Sequence, residues 1–92
     1  MSTEPTAPAA VALTIGEHAA QLIGFEAERA RLLSPEAAAP GARLSCTLQD
    51  GRVLKVKVHR CVRTEAGFRI EGGTFDLRRE LRLELQQHFA GS

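Results

Sequence analysis

The side chains that could do chemistry in this 92-residue chain are few and scattered. The histidines are His18, His59 and His88, and the cysteines are Cys46 and Cys61. No His-x-x-His or Cys-x-x-Cys spacing occurs, so no metal site is expected. No Gly-x-Ser-x-Gly, P-loop or dinucleotide fingerprint occurs either. Cys46 or Cys61 with His59 would imitate a thiol–imidazole pair, but neither has a third group to orient it. The expectation is a protein that is not an enzyme and needs no cofactor. Two cysteines do not make a disulfide framework, and within strands they serve as small apolar side chains.

Charge is more informative. Twelve basic and 11 acidic side chains leave a net charge of +1, which argues against non-specific attraction to nucleic acid or an anionic membrane. The distribution is uneven. Residues 1–28 hold four glutamates, Glu4, Glu17, Glu26 and Glu28, and no Lys or Arg, so the rest of the chain carries +5. Arg52, Lys55, Lys57, His59 and Arg63 fall on one stretch, and Lys55, Lys57 and His59 share its parity. That strip reads either as a solvated face whose lysines also protect an edge strand or as a surface for an anion or an acidic partner. Phe25, Phe68, Phe75 and Phe89 read as core, which leaves no aromatic platform for bases, and nucleic acid is not expected as a partner.

The elements that position these residues are mostly strands. Leu44, Cys46 and Leu48 alternate with polar residues, as do Leu54, Val56 and Val58, and Asp50-Gly51 between the two runs predicts a type I′ hairpin. Glu65-Ala66-Gly67 predicts a second hairpin into Phe68–Ile70. At Arg60-Cys61-Val62 the parity is ambiguous: Arg60 points inward with Val62, or a bulge resets the register and buries Cys61, which a long strand in a small closed sheet favours. Val11–Ile15 and Arg29–Leu33 also read as strands. Glu17–Leu33 fits two strands better than one amphipathic helix, because Gly24 and the Leu-Ile-Gly-Phe cluster interrupt it. Gly72-Gly73 reads as a sheet break. A helix over 76–90 follows, with Asp76 as its N-cap, a stripe of Leu77, Leu81, Leu85 and Phe89, His88 facing the C-terminal dipole, and Gly91 as the stop. Leu83 lies off the stripe, either as an exposed contact or as part of a wider buried face. Like charges at Glu80/Glu84 and Arg78/Arg82 are unfavourable neighbours on that helix. Residues 1–10 read as a disordered tail and 11–92 as one domain. With no leader pattern and no apolar run of ~18 residues, a cytoplasmic protein without membrane insertion is expected.

The stretches Ala30-Arg-Leu-Leu-Ser-Pro-Glu, Pro40-Gly-Ala-Arg-Leu-Ser-Cys-Thr-Leu, Asp50-Gly-Arg-Val-Leu-Lys-Val-Lys-Val-His-Arg-Cys-Val-Arg, Gly67-Phe-Arg-Ile and Phe75-Asp-Leu-Arg-Arg-Glu-Leu together resemble a bacterial PilZ domain. The likeness covers roughly residues 18–90 and rests on order and spacing. It implies a mainly β fold, a small antiparallel six-stranded β-barrel with one C-terminal α-helix. Members that bind cyclic di-GMP use Arg-x-x-x-Arg and then Asp-x-Ser-x-x-Gly, whose arginines grip phosphates and stack on guanine. Here nothing before Arg29 is basic. The second motif falls on Gly24-Phe25-Glu26-Ala27-Glu28-Arg29, where Gly24, Glu26 and Arg29 replace its Asp, Ser and Gly, and the two glutamates would repel a dianionic dinucleotide. The resemblance therefore implies an adaptor acting by protein–protein contact in motility, pilus or envelope control, with Lys55, Lys57, His59, Glu26 and Glu28 as contact residues. Two alternatives stand beside it: a cyclic di-GMP receptor using Arg29, Arg31 and Arg60, and a small-barrel nucleic-acid binder.

Overall fold

In the computed structural model, which describes residues 10–90, six strands close into an antiparallel barrel and one helix follows. The elements are β1 (Val11–Ile15), β2 (His18–Glu26), β3 (Arg29–Ser34), β4 (Arg43–Leu48), β5 (Val53–Thr64), β6 (Gly67–Phe75) and α1 (Arg79–Ala90). Around the wall they run β1-β2-β3-β6-β5-β4, and β4 pairs with β1 to close the ring. Closure leaves no free edge to pair with another chain. The segment that could have been helical is thus the β2–β3 hairpin. The expected tail lies outside the described residues except for Ala10, and so does the expected stop at Gly91.

Alternation builds the interior. Leu13, Ala20, Leu22, Leu32, Cys46, Leu48, Leu54, Val56, Val58 and Ile70 point inward and are buried. Two bulges interrupt the pattern. One skips Ile23 in β2, so that Leu22 and Phe25, of opposite parity, are both buried. The other skips His59 in β5, between Val58 opposite Gly72 and Arg60 opposite Glu71. The bulge expected at Arg60–Val62 is therefore present at His59, and it keeps Arg60 on the solvent side. Cys61 packs against the core only partly buried.

Several expectations are corrected. Gly72-Gly73 does not break the sheet; both lie inside β6. Gly72 faces inward, where a Cβ would collide with the Lys57 carbonyl oxygen and meet Val56 Cγ1 at 2.8 Å. Glycine there lets two strands of a narrow barrel approach closely. The Asp50-Gly51 hairpin is not type I′, because only Gly51, at φ 95°, is left-handed. Leu48 N donates to Arg52 O and Gly51 N to Leu48 O, which makes a three-residue loop with Gly at the left-handed position. Ala27 and Glu28, at φ 52° and 62°, instead form a two-residue turn of the I′ kind. Of the four phenylalanines only Phe25 is buried, while Phe68, Phe75 and Phe89 are half-exposed.

The helix starts at Arg79, not 76. Asp76 is not its cap: at φ 52° it takes the left-handed conformation that turns the chain out of β6, which Asp tolerates. Arg78 O accepts the bond from Arg82 N instead. Leu81 and Leu85 join the core, with Leu77 and Phe89 packed against it, and Leu83 is exposed. The helix is held on both flanks. Glu84 takes a two-pronged bond from Arg52, both contacts at 2.9 Å, and Arg82 Nε lies 3.2 Å from Glu28 Oε2 as an ion pair without hydrogen-bond alignment. These partners relieve the like-charge neighbours along the helix. No helix among the described residues is long and apolar enough to cross a membrane.

Candidate functional site

The barrel wall has two unlike outer faces. On β1, β2 and β4, Ala12, Thr14, Ala19, Gln21, Ser45 and Thr47 point outward, and none is charged. On β3, β6 and β5 the outward residues include Arg29, Arg31, Glu71, Lys57, His59 and Arg60. The cation-rich face carries a depression of about 820 Å³, between the β2–β3 hairpin, the β5 bulge and Phe89.

Both bulges shape this depression. Ile23 and Gly24 line one wall, and His59 and Arg60 line the other. A regular strand would put only one of two successive residues outside; the bulge puts both His59 and Arg60 there. A glycine clears part of the floor: the Arg31 side chain lies across Gly24, its Nη1 3.4 Å from where a Cβ would stand.

The sequence-derived residues separate cleanly. Arg29, Arg31 and Arg60, far apart in the chain, line the same depression, joined there by Glu26 and His59. Arg31 Nε lies 4.0 Å from Glu71 Oε2, which also holds Arg69 Nε at 3.2 Å. Among the described residues no ion pair engages Arg29, Lys57, His59, Arg60 or Glu26. Lys55 and Glu28 do not belong to this group. Lys55 Nζ lies 3.9 Å from Asp76 Oδ2, and Glu28 is tied to Arg82 by its carboxylate and to Thr74 by its carbonyl, which accepts from both Thr74 N and Oγ1 at 2.9 Å.

Sequence reasoning missed Glu71, Arg43 and Gly73. Arg43 faces out on β4 directly opposite Lys57, its guanidinium 5.8 Å from the centre of the Phe75 ring. The register that brings them together runs through β6, which cannot be aligned while Gly72-Gly73 is taken as a break. Residue spacing from the Glu65–Gly67 hairpin supplies it only once the one-residue bulge at His59 is placed.

The other reactive groups stay apart. Cys46 is buried inside the barrel, and burial pushes its thiol up to about 12. His59 lies on the outer surface, so the two make no thiol–imidazole pair. His18 Nε2 sits 3.4 Å from Glu36 Oε2, and the His88 ring meets Phe89 edge-on at 4.9 Å. No three His, Cys, Asp or Glu side chains gather among the described residues. Comparison with family models, with curated proteins and with solved structures finds no match for the chain.

Proposed function

We propose that this chain is a PilZ-like adaptor of bacterial motility, pilus or envelope control, cytoplasmic, acting by protein–protein contact and not by the family's usual grip on cyclic di-GMP. The observation that carries the reading is the mixed charge of the open face. Arg29, Lys57, His59 and Arg60 are free to meet an anion, yet Glu26 stands at the rim and Glu71 occupies the middle of the cluster. Alternating signs over a broad surface suit a protein partner, since like charges opposed across an interface reject wrong partners and unlike ones fix register. A compact dianion in the same hollow would meet both carboxylates.

A second reading has one specific observation in its favour. Arg29, Arg31 and Arg60 converge on a hollow of about 820 Å³, a size that suits a small ligand. In that reading the protein is a cyclic di-GMP receptor with unconventional arginines. Isothermal titration separates the two. The adaptor reading expects no heat from cyclic di-GMP at micromolar concentration. Micromolar or tighter binding that disappears in Arg29→Ala would overturn it.

A further inference from the structure

Register sets the outward charges of the cationic face in rows across the strands. One row reads Arg60 on β5, Glu71 on β6, Arg31 on β3 and Gly24 on β2. The next reads Arg43 on β4, Lys57 on β5, Gly73 on β6, Arg29 on β3 and Glu26 on β2. In the first row a carboxylate on β6 stands between two cations and serves Arg31. In the second, the β6 position between Lys57 and Arg29 is a glycine. Neither neighbour has an ion pair among the described residues, and Arg43 and Lys57 stand directly opposite each other.

Directly opposed like charges destabilise a sheet, so the Arg43–Lys57 pair works against the fold at that point. With strands about 4.8 Å apart, Lys57 and Arg29 flank a seat roughly two strand spacings wide that holds no carboxylate of this chain. The His59 ring borders it, 3.4 Å from where a Gly73 Cβ would stand, and no other side chain or backbone atom comes within 4 Å of that point. The neighbouring row shows which group this geometry accepts, a carboxylate.

We propose that the row Arg43–Lys57–Gly73–Arg29 is a docking site for an acidic segment of a protein partner, one of whose carboxylates seats over Gly73 between Lys57 and Arg29. The proposal rests on the adaptor reading and names the chemistry of its partner. Glu26, at the end of the row, takes a basic residue of the same segment. An acidic peptide fits better than a nucleic acid, because the Phe75 ring beside the row is already covered by the Arg43 guanidinium.

The test is an amide NMR titration of the full chain with a short synthetic peptide of alternating glutamate and serine. A lysine–serine peptide and a single-stranded oligonucleotide run beside it. The expected result is saturable, salt-sensitive shifts at residues 29, 43, 57 and 73 from the acidic peptide alone, with about tenfold weaker binding in Lys57→Ala and in Arg29→Ala. Gly73→Glu supplies the missing carboxylate within the chain; it should abolish binding and raise the thermal midpoint at low salt. Gly73→Val fills the seat without charge and should abolish binding with the midpoint kept. Absence of saturable shifts, shifts as large at Arg63, Arg78 and Arg79, or tighter binding of the oligonucleotide at the same residues would each overturn the proposal. The cyclic di-GMP titration keeps the failures distinct: no heat there with no peptide binding here rejects this row alone, whereas heat there rejects the adaptor reading beneath it.

Discussion

Gly72 and Gly73 sit side by side in β6 and do opposite things. Gly72 faces inward, where a Cβ would press on the Lys57 carbonyl, and Gly73 faces outward, where a Cβ would meet only the movable His59 ring. Gly72→Ala should cost about 1–3 kcal/mol through overpacking against backbone, while Gly73→Ala should stay within about 0.5 kcal/mol. Denaturant titration of the two variants checks this, and equal losses would mean that the inward and outward assignments are wrong. The sequence pattern shows two glycines and a reason to suspect a break. It does not show that a six-strand barrel is narrow enough to need one glycine inside the strand. The same limit applies to Arg29, Arg31 and Arg60. Their side-chain type made them candidates for gripping an anion, but only register shows that Glu71 stands between Arg60 and Arg31 in one row while the next has no carboxylate between Lys57 and Arg29.

At the scale of elements, turns were the least legible. Asp50-Gly51 correctly marks a hairpin, but the loop is one residue longer than the pair suggests, because Asp50 turns back to accept from Arg52 N at 3.0 Å. The left-handed pair Ala27-Glu28 has no Gly or Asn to announce it. It is held from outside, by Thr74 on the Glu28 carbonyl and Arg82 near its carboxylate. Ala27→Gly should therefore stabilise the protein by about 0.5–1 kcal/mol, since the left-handed conformation strains alanine; a loss in thermal unfolding would contradict that turn. The helix stripe was legible from spacing, whereas its start was not, because tertiary turning at Asp76 displaced the cap. Arg52 pins the helix to the β4–β5 loop. Its guanidinium holds the Glu84 and Asp50 carboxyls below their ordinary range, chiefly through side-chain hydrogen bonds. Carboxylates with depressed values in the fold stabilise it above their ordinary pKa of about 4, and that contribution fades as pH falls through the depressed range. Arg52→Ala should thus lower the thermal midpoint at neutral pH and low salt. The gap should narrow in acid and in high salt, and a gap independent of both would show that the clamp is not electrostatic.

For the whole molecule, alternation and turn residues pointed to five or six antiparallel strands and a following helix, and the count of six came with the resemblance. The period of two is interrupted by bulges at Ile23 and His59, and the Ala27-Glu28 turn carries no turn residue. Closure was less visible in the residues themselves, since the β1–β4 pairing joins segments whose separation no local pattern encodes. The proposed contact surface was least legible, because four strands assemble it. The resulting barrel is two-sided, with a cation-rich outer face over β3, β6 and β5 and, over β1 and the adjoining parts of β2 and β4, an uncharged stretch that includes Ala12, Thr14, Gln21 and Thr47. The central claim is that the second face meets a protein partner. The most direct measurement is site-specific photocrosslinking in the native host, with the photoreactive residue placed at position 57 or, on the uncharged face, at position 14. A discrete protein adduct from position 57, lost in Arg29→Glu, with none from position 14, is the expected result. No adduct from position 57, or the same adduct from position 14, would contradict it.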